Sequence, residues 1–107
     1  MSDSQLDALY TLIEGRKSAD SKSSYVASLF AKGPEKIAEK LGEEAIETVI
    51  AALRQGKDET ISESADLIFH LMVLWAELGI RPEDVWAELA RREGVSGLVE
   101  KANRSTD

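Results

Sequence analysis

Apolar residues recur along this chain three or four positions apart, the spacing of a helix face, and almost nowhere in alternation. Leu6, Leu9, Tyr10 and Ile13 mark a first helix over residues 3–14, with Ser2, Asp3 or Ser4 as candidate caps. Residues 15–24 are polar and serine-rich and read as a loop. The stretch SYVASLFAKG predicts a short helix ending near Gly33. Pro34 suits the first turn of the next helix. That helix carries Ile37, Leu41, Ala45, Val49 and Ala52 to about Gln55, and Gly56 fits its end. Asp58 or Thr60 is the candidate cap of a fourth helix running to about Leu78, with Gly79 as its stop. Pro82 opens a fifth, PEDVWAELARRE, with acids in its first turn and arginines in its last, as the helix dipole favours. Gly94 is its expected end. SGLVEKANR adds a last turn or two, and RSTD is expected to fray. No segment alternates as a strand does, and no Asn-Gly turn joins two runs. The pattern predicts an all-α fold in one domain, residues 1–107: a helical bundle built on a long antiparallel helix hairpin about Gly56.

The fourth helix says more. Placed at 100° per residue, Ile61, Ala65, Ile68, Met72, Trp75 and Ala76 fall together, flanked by Phe69, Leu71 and Leu78. So wide an apolar arc belongs at the centre of a bundle, and one helix layer from a short chain would hardly cover it. A homodimer is expected, with this helix in a shared core.

Composition narrows the function. The 107 residues are 43% hydrophobic, enough for one modest core. A net charge of -7 disfavours nucleic acid and anionic membranes as partners, since both attract basic surfaces. It leaves phosphate ligands open, because a divalent cation bridges carboxylate to phosphate. With no cysteine there is no disulfide, thiolate metal site or thiol nucleophile. MSDSQLDALY lacks the basic and apolar regions of a signal peptide, and LIFHLMVLWAELGI is too short to span a bilayer. A cytoplasmic protein is expected.

The acids are crowded. Glu43, Glu44 and Glu47 fall within about one turn of KLGEEAIETVIAAL, where like charges weaken a helix. Lys40, Glu44 and Glu47 share a face, with Glu43 at its edge. On the fourth helix Glu63, Asp66 and His70 form a polar stripe, extended by Glu59 and Glu77. At 1.5 Å per residue, Glu47 lies roughly 13 Å before Gly56 and Glu63 roughly 10 Å after it; Glu44 and Asp66 lie at roughly 18 and 15 Å. The pairs are nearly level. If these faces meet, four carboxylates converge, and bound cations would relieve their repulsion. Oxygen-only ligation suits Mg²⁺ or Mn²⁺. The di-iron pattern needs Glu-x-x-His, whereas Leu67 stands three before His70, the only histidine. Carboxylate-held Mg²⁺ without a nucleophile points to hydrolysis of a phosphoanhydride. The other reading is a solvated acidic stripe, since spacing does not show that the faces meet.

KGPEKIAEKLGEEAIETVIAA followed by ESADLIFHLMVLWAELG resembles the phosphoribosyl-ATP pyrophosphatases of histidine biosynthesis, within the MazG-like all-α NTP pyrophosphohydrolases. The wider signature, E-E-x-x-E then E-x-x-D, is Glu43, Glu44, Glu47, then Glu63, Asp66. SYVASLFAKG, ADLIFHLMVL and ELARREGVSGLVEKANR carry the narrower likeness. The resemblance implies Mg²⁺-dependent hydrolysis of phosphoribosyl-ATP to phosphoribosyl-AMP and pyrophosphate. It implies Glu44, Glu47, Glu63 and Asp66 as metal ligands, and Glu43 as a group that positions or deprotonates water or orients the ligands. It also implies a free-standing enzyme, with a separate cyclohydrolase acting next. Lys36, Lys40, Arg91, Lys101 and Arg104 are candidate substrate-binding residues, alongside Lys32 and Arg92; each has an ordinary helix-surface role as its alternative. His70 is either a partner of Asp66 or a buried histidine, and Trp75 and Trp86 read as core or interface. A housekeeping (d)NTP pyrophosphohydrolase and a non-catalytic helical scaffold are the competing functions.

Overall fold

Glycine and proline punctuate the chain where the pattern predicts. The structure is a computed structural model that describes residues 3–93, with side chains from Gln5 onward. Five α-helices follow in order: α1 Asp3–Gly15, α2 Tyr25–Lys32, α3 Pro34–Ile50, α4 Lys57–Leu78 and α5 Pro82–Arg92. There is no strand among the described residues. The candidate caps Ser2, Asp3 and Ser4, the stop at Gly94 and the SGLVEKANR turns lie outside the described side chains.

Local chemistry explains most boundaries. Ser24 caps α2, its side chain accepting the Ala27 N–H at 3.2 Å. Gly33 (φ 94, ψ 175) and Gly56 (φ 105, ψ -177) turn the chain into α3 and α4 in a backbone region that only glycine occupies readily. A Cβ on Gly56 would touch nothing within 4 Å, so its cost there is conformational. Gly56→Ala is therefore expected to lower stability by about 1–3 kcal/mol, read as a lower urea midpoint at unchanged slope. Gly79 closes α4, with the Ile80 N–H reaching the Trp75 carbonyl at 2.9 Å. The Asp84 carboxylate accepts the Arg81 backbone N–H at 2.9 Å and fixes the entry to α5.

Two expectations need correction. Neither Asp58 nor Thr60 caps α4, because the helix already begins at Lys57; the Thr60 hydroxyl instead donates back to the Gly56 carbonyl at 2.7 Å. The helix from Pro34 is also not α-helical through Gln55. Residues Ala51–Gln55 widen into a π turn, and the Gly56 N–H bonds to the Ala51 carbonyl five residues back, at 3.0 Å.

α3 and α4 pack as the predicted antiparallel hairpin, with α1 laid on α4 and α2 on α3. The core joins Tyr10 and Ile13 of α1, Leu29 of α2, Ile37 of α3, and Met72, Val73, Trp75 and Ala76 of α4. The Tyr10 hydroxyl donates to the Ile80 carbonyl at 2.7 Å, tying α1 to the turn after α4. Trp75 and Trp86 meet edge-to-face at 6.0 Å in this core. The apolar arc of α4 is thus divided. Met72, Trp75 and Ala76 are covered by the chain itself, whereas Ile61, Ala65 and Ile68, toward the Gly56 end, are exposed. Val73, outside the predicted arc, is fully buried because the covered half of α4 packs on its His70 side as well.

Candidate metal and phosphate site

The hairpin brings the two acidic stripes face to face. Oxygens of Glu44, Glu63 and Asp66 all lie within 4.8 Å of one another. Glu47 falls outside that trio but adjoins it: its charge acts on Glu44, and it lines a cavity of about 210 Å³ with Ile50, Gln55 and Glu63. Sequence spacing therefore placed Glu44, Glu63 and Asp66 at a common level, with Glu47 beside Glu63. A residue that spacing missed holds them there. Thr48 Oγ1 lies 2.8 Å from the Glu44 carbonyl and 3.2 Å from the Glu63 carbonyl, bridging α3 and α4 between two of the acids. The only signal was a hydroxyl four positions after Glu44.

The electrostatics are those of crowded carboxyl groups. Glu44 is 8% exposed. Burial first, then the charges of Glu47, Asp66 and Glu63, push its carboxyl up from 4.5 to about 7. Glu63 Oε1 is buried and has no hydrogen-bond partner among the described residues. A buried carboxylate oxygen without a donor is costly. Hard-oxygen donors at this spacing, one of them unsatisfied, fit a divalent cation such as Mg²⁺.

The pH consequence has a definite sign. Folded Glu44 holds its proton more tightly than the unfolded chain does, so that stability is present below pH 4.5 and is lost as pH rises through about 7. In EDTA, Glu44→Gln is expected to flatten this decline and to melt higher than the unaltered protein at pH 8. Parallel melting curves across pH for the two proteins would refute the assignment.

The basic candidates divide. Lys40 Nζ is 3.2 Å from Glu43 Oε1, not paired with Glu44 as an i,i+4 reading would have it. Its charge is favoured by Glu43 first, then by Tyr25 and Glu44, which places it at the rim of the acid cluster. Lys36 pairs with Glu39 at 2.9 Å on the helix surface. Arg91 donates to both oxygens of Glu88, at 3.0 and 2.6 Å, and Arg92 joins at 2.9 Å. The two guanidiniums hold Glu88 down at about 2. Lys101 and Arg104 lie outside the described residues.

His70 is 5% exposed and bonds to the backbone of Asp66, not to its carboxylate: Nδ1 sits 2.8 Å from the Asp66 carbonyl. A carbonyl only accepts, so Nδ1 carries a proton, and Nε2 shares a hydrogen bond with the Tyr25 hydroxyl at 3.1 Å. Tyr25 was not singled out from sequence; nothing local links it to a residue 45 positions away.

Among the described residues no helix is long and apolar enough to cross a membrane. The family model described as phosphoribosyl-ATP pyrophosphohydrolase matches residues 6–93. A phosphoribosyl-ATP pyrophosphatase of Rhizorhabdus wittichii is 61% identical over 99 residues, covering 92% of this chain and 93% of its own length. One of Paramagnetospirillum magneticum is 59% identical over 100 residues, with 94% and 92% covered. One of Azospirillum brasilense is 55% identical over 101 residues, with 94% and 91% covered. On this match along nearly its whole length, the chain belongs to the phosphoribosyl-ATP pyrophosphohydrolase family.

Proposed function

We propose that this protein hydrolyses phosphoribosyl-ATP to phosphoribosyl-AMP and pyrophosphate in histidine biosynthesis, with Mg²⁺ or Mn²⁺ held by Glu44, Glu47, Glu63 and Asp66. The observation that carries the site assignment is the trio of carboxylates within 4.8 Å, one with an unsatisfied buried oxygen. The substrate follows from family membership. A metal held by these residues would neutralise phosphate charge and lower the pKa of an attacking water.

The chain's own residues do the rest. Thr48, bridging the backbone carbonyls of Glu44 and Glu63, keeps the acids of the two helices in register. Water attacks the α-phosphorus, the new P–O bond forms, and the bond to the β-phosphate oxygen breaks with pyrophosphate leaving. Glu43, exposed at the lip and paired with Lys40, positions that water or takes its proton. Lys40 sits where it can neutralise phosphate oxygens, and positioning and charge neutralisation supply most of the barrier lowering. Lys36, Arg91, Lys101 and Arg104 remain candidates for the ribose phosphate. The exposed apolar face of the hairpin supports a homodimer. A biosynthetic role of this kind fits the cytoplasm, and a cyclohydrolase activity would consume the product.

The test is pyrophosphate release from phosphoribosyl-ATP with Mg²⁺, beside a panel of dNTPs. Release from phosphoribosyl-ATP that EDTA abolishes is the expected result. Release only from dNTPs would move the protein to a housekeeping role, and no release from any nucleotide would leave a helical scaffold.

A further inference from the structure

A nucleotide substrate presents a purine as well as phosphates, and flat aromatic bases are commonly held by aromatic rings. The chain has six aromatic residues, all among the described ones. Tyr10 and Trp75 are buried, and Phe30, Phe69 and Trp86 are half-buried against the core. Tyr25 alone is exposed, at 54%.

Its exposure is not that of a loose surface side chain. The hydroxyl is spent on buried His70, whose other nitrogen is anchored on the Asp66 carbonyl. The ring lies nearly parallel to Phe69, with centroids 6.2 Å apart and planes 21° apart. His70 meets both rings edge-on, at 6.0 and 5.1 Å. Tyr25 is thus fixed at its tip and along one side while half its surface stays open. It stands beside the acid cluster, one turn from Asp66 through His70 and within electrostatic reach of Lys40.

We infer that Tyr25 is the base platform of the site: its open ring stacks on the purine of the nucleotide, with Phe69 and His70 holding it in place. This rests on the proposed nucleotide hydrolysis and names the subsite for the base. With the hydroxyl engaged by His70, the surface offered to the base is the ring, and stacking on a ring recognises an aromatic base without reading its edge.

The test compares Tyr25→Leu and Tyr25→Phe with the unaltered protein on phosphoribosyl-ATP. Loss of one base–aromatic stack is expected to raise KM about tenfold in Tyr25→Leu, with kcat within about twofold. Tyr25→Phe, which keeps the ring, stays within about threefold in KM. Binding of AMP, followed by calorimetry in both proteins and through the Tyr25 ring signals by NMR in the unaltered one, is weakened in Tyr25→Leu, whereas binding of ribose 5-phosphate is unchanged. An unchanged KM in Tyr25→Leu overturns the platform, as does a fall in kcat and melting temperature alone, which would mark a structural role. If the unaltered protein releases no pyrophosphate, the hydrolysis reading falls, and the AMP titration decides the platform by itself: no ring perturbation overturns it.

Discussion

Glu63→Gln protein is expected to release pyrophosphate about three orders of magnitude more slowly than the unaltered protein, a loss of roughly 4 kcal/mol of transition-state stabilisation. Glu63 lies within 4.8 Å of both Glu44 and Asp66, and its Oε1 is buried without a partner. A cation at that oxygen would supply the partner it lacks. The substitution removes the charge but keeps the shape. Its new amide N–H can donate to the carboxylates facing it, so the fold should survive, and melting in EDTA should be no lower than in the unaltered protein. The stabilisation that millimolar Mg²⁺ gives the unaltered protein should vanish, since a ligand stabilises only the state that binds it. Glu43→Gln is the control. Glu43 is exposed and paired with Lys40, outside the trio, so it should lose about 10- to 100-fold in rate and keep the Mg²⁺ effect. Equal rate losses in the two variants, or an undiminished Mg²⁺ shift in Glu63→Gln, would remove Glu63 from the ligand set.

How the site was legible in the sequence has a physical reason. Helical rise is constant, so residues counted outward from Gly56 meet at predictable levels, and Glu44 did come to lie beside Glu63 and Asp66. Helix ends were legible at Pro34, Gly56 and Gly79, because the chemistry that ends a helix is local. The π turn over Ala51–Gln55 was not, since AALRQ has no residue that forbids an ordinary α turn. Thr48 bridging two carbonyls, and Tyr25 reaching His70, depend on which helix faces meet. The apolar arc of α4 was legible, but not that Val73 outside it would be buried, nor that its two halves would have different cover.

That division underlies the remaining expectation. Ile68→Asp is expected to convert a dimer into a monomer, raising the dimer dissociation constant more than 100-fold, as sedimentation or light scattering at micromolar concentration would read. Ile46, Val49, Leu53, Ile61 and Ile68 are each between 43% and 75% exposed. Ile61 and Ile68 line one open groove with Ala52 and Ala65. Fully burying such a side chain is worth about 1.5–3 kcal/mol, so leaving the whole face in water forgoes a large stabilisation. A second copy would supply the missing layer. A carboxylate inserted there would be desolvated without a partner, at a cost of several kcal/mol, and each 1.4 kcal/mol is tenfold in affinity. Ile68 is already 43% exposed in the single chain, so the same carboxylate stays solvated in the monomer and helical circular dichroism should persist. A monomeric unaltered protein would overturn the dimer outright. An Ile68→Asp dimer of unchanged affinity would move the interface to another face.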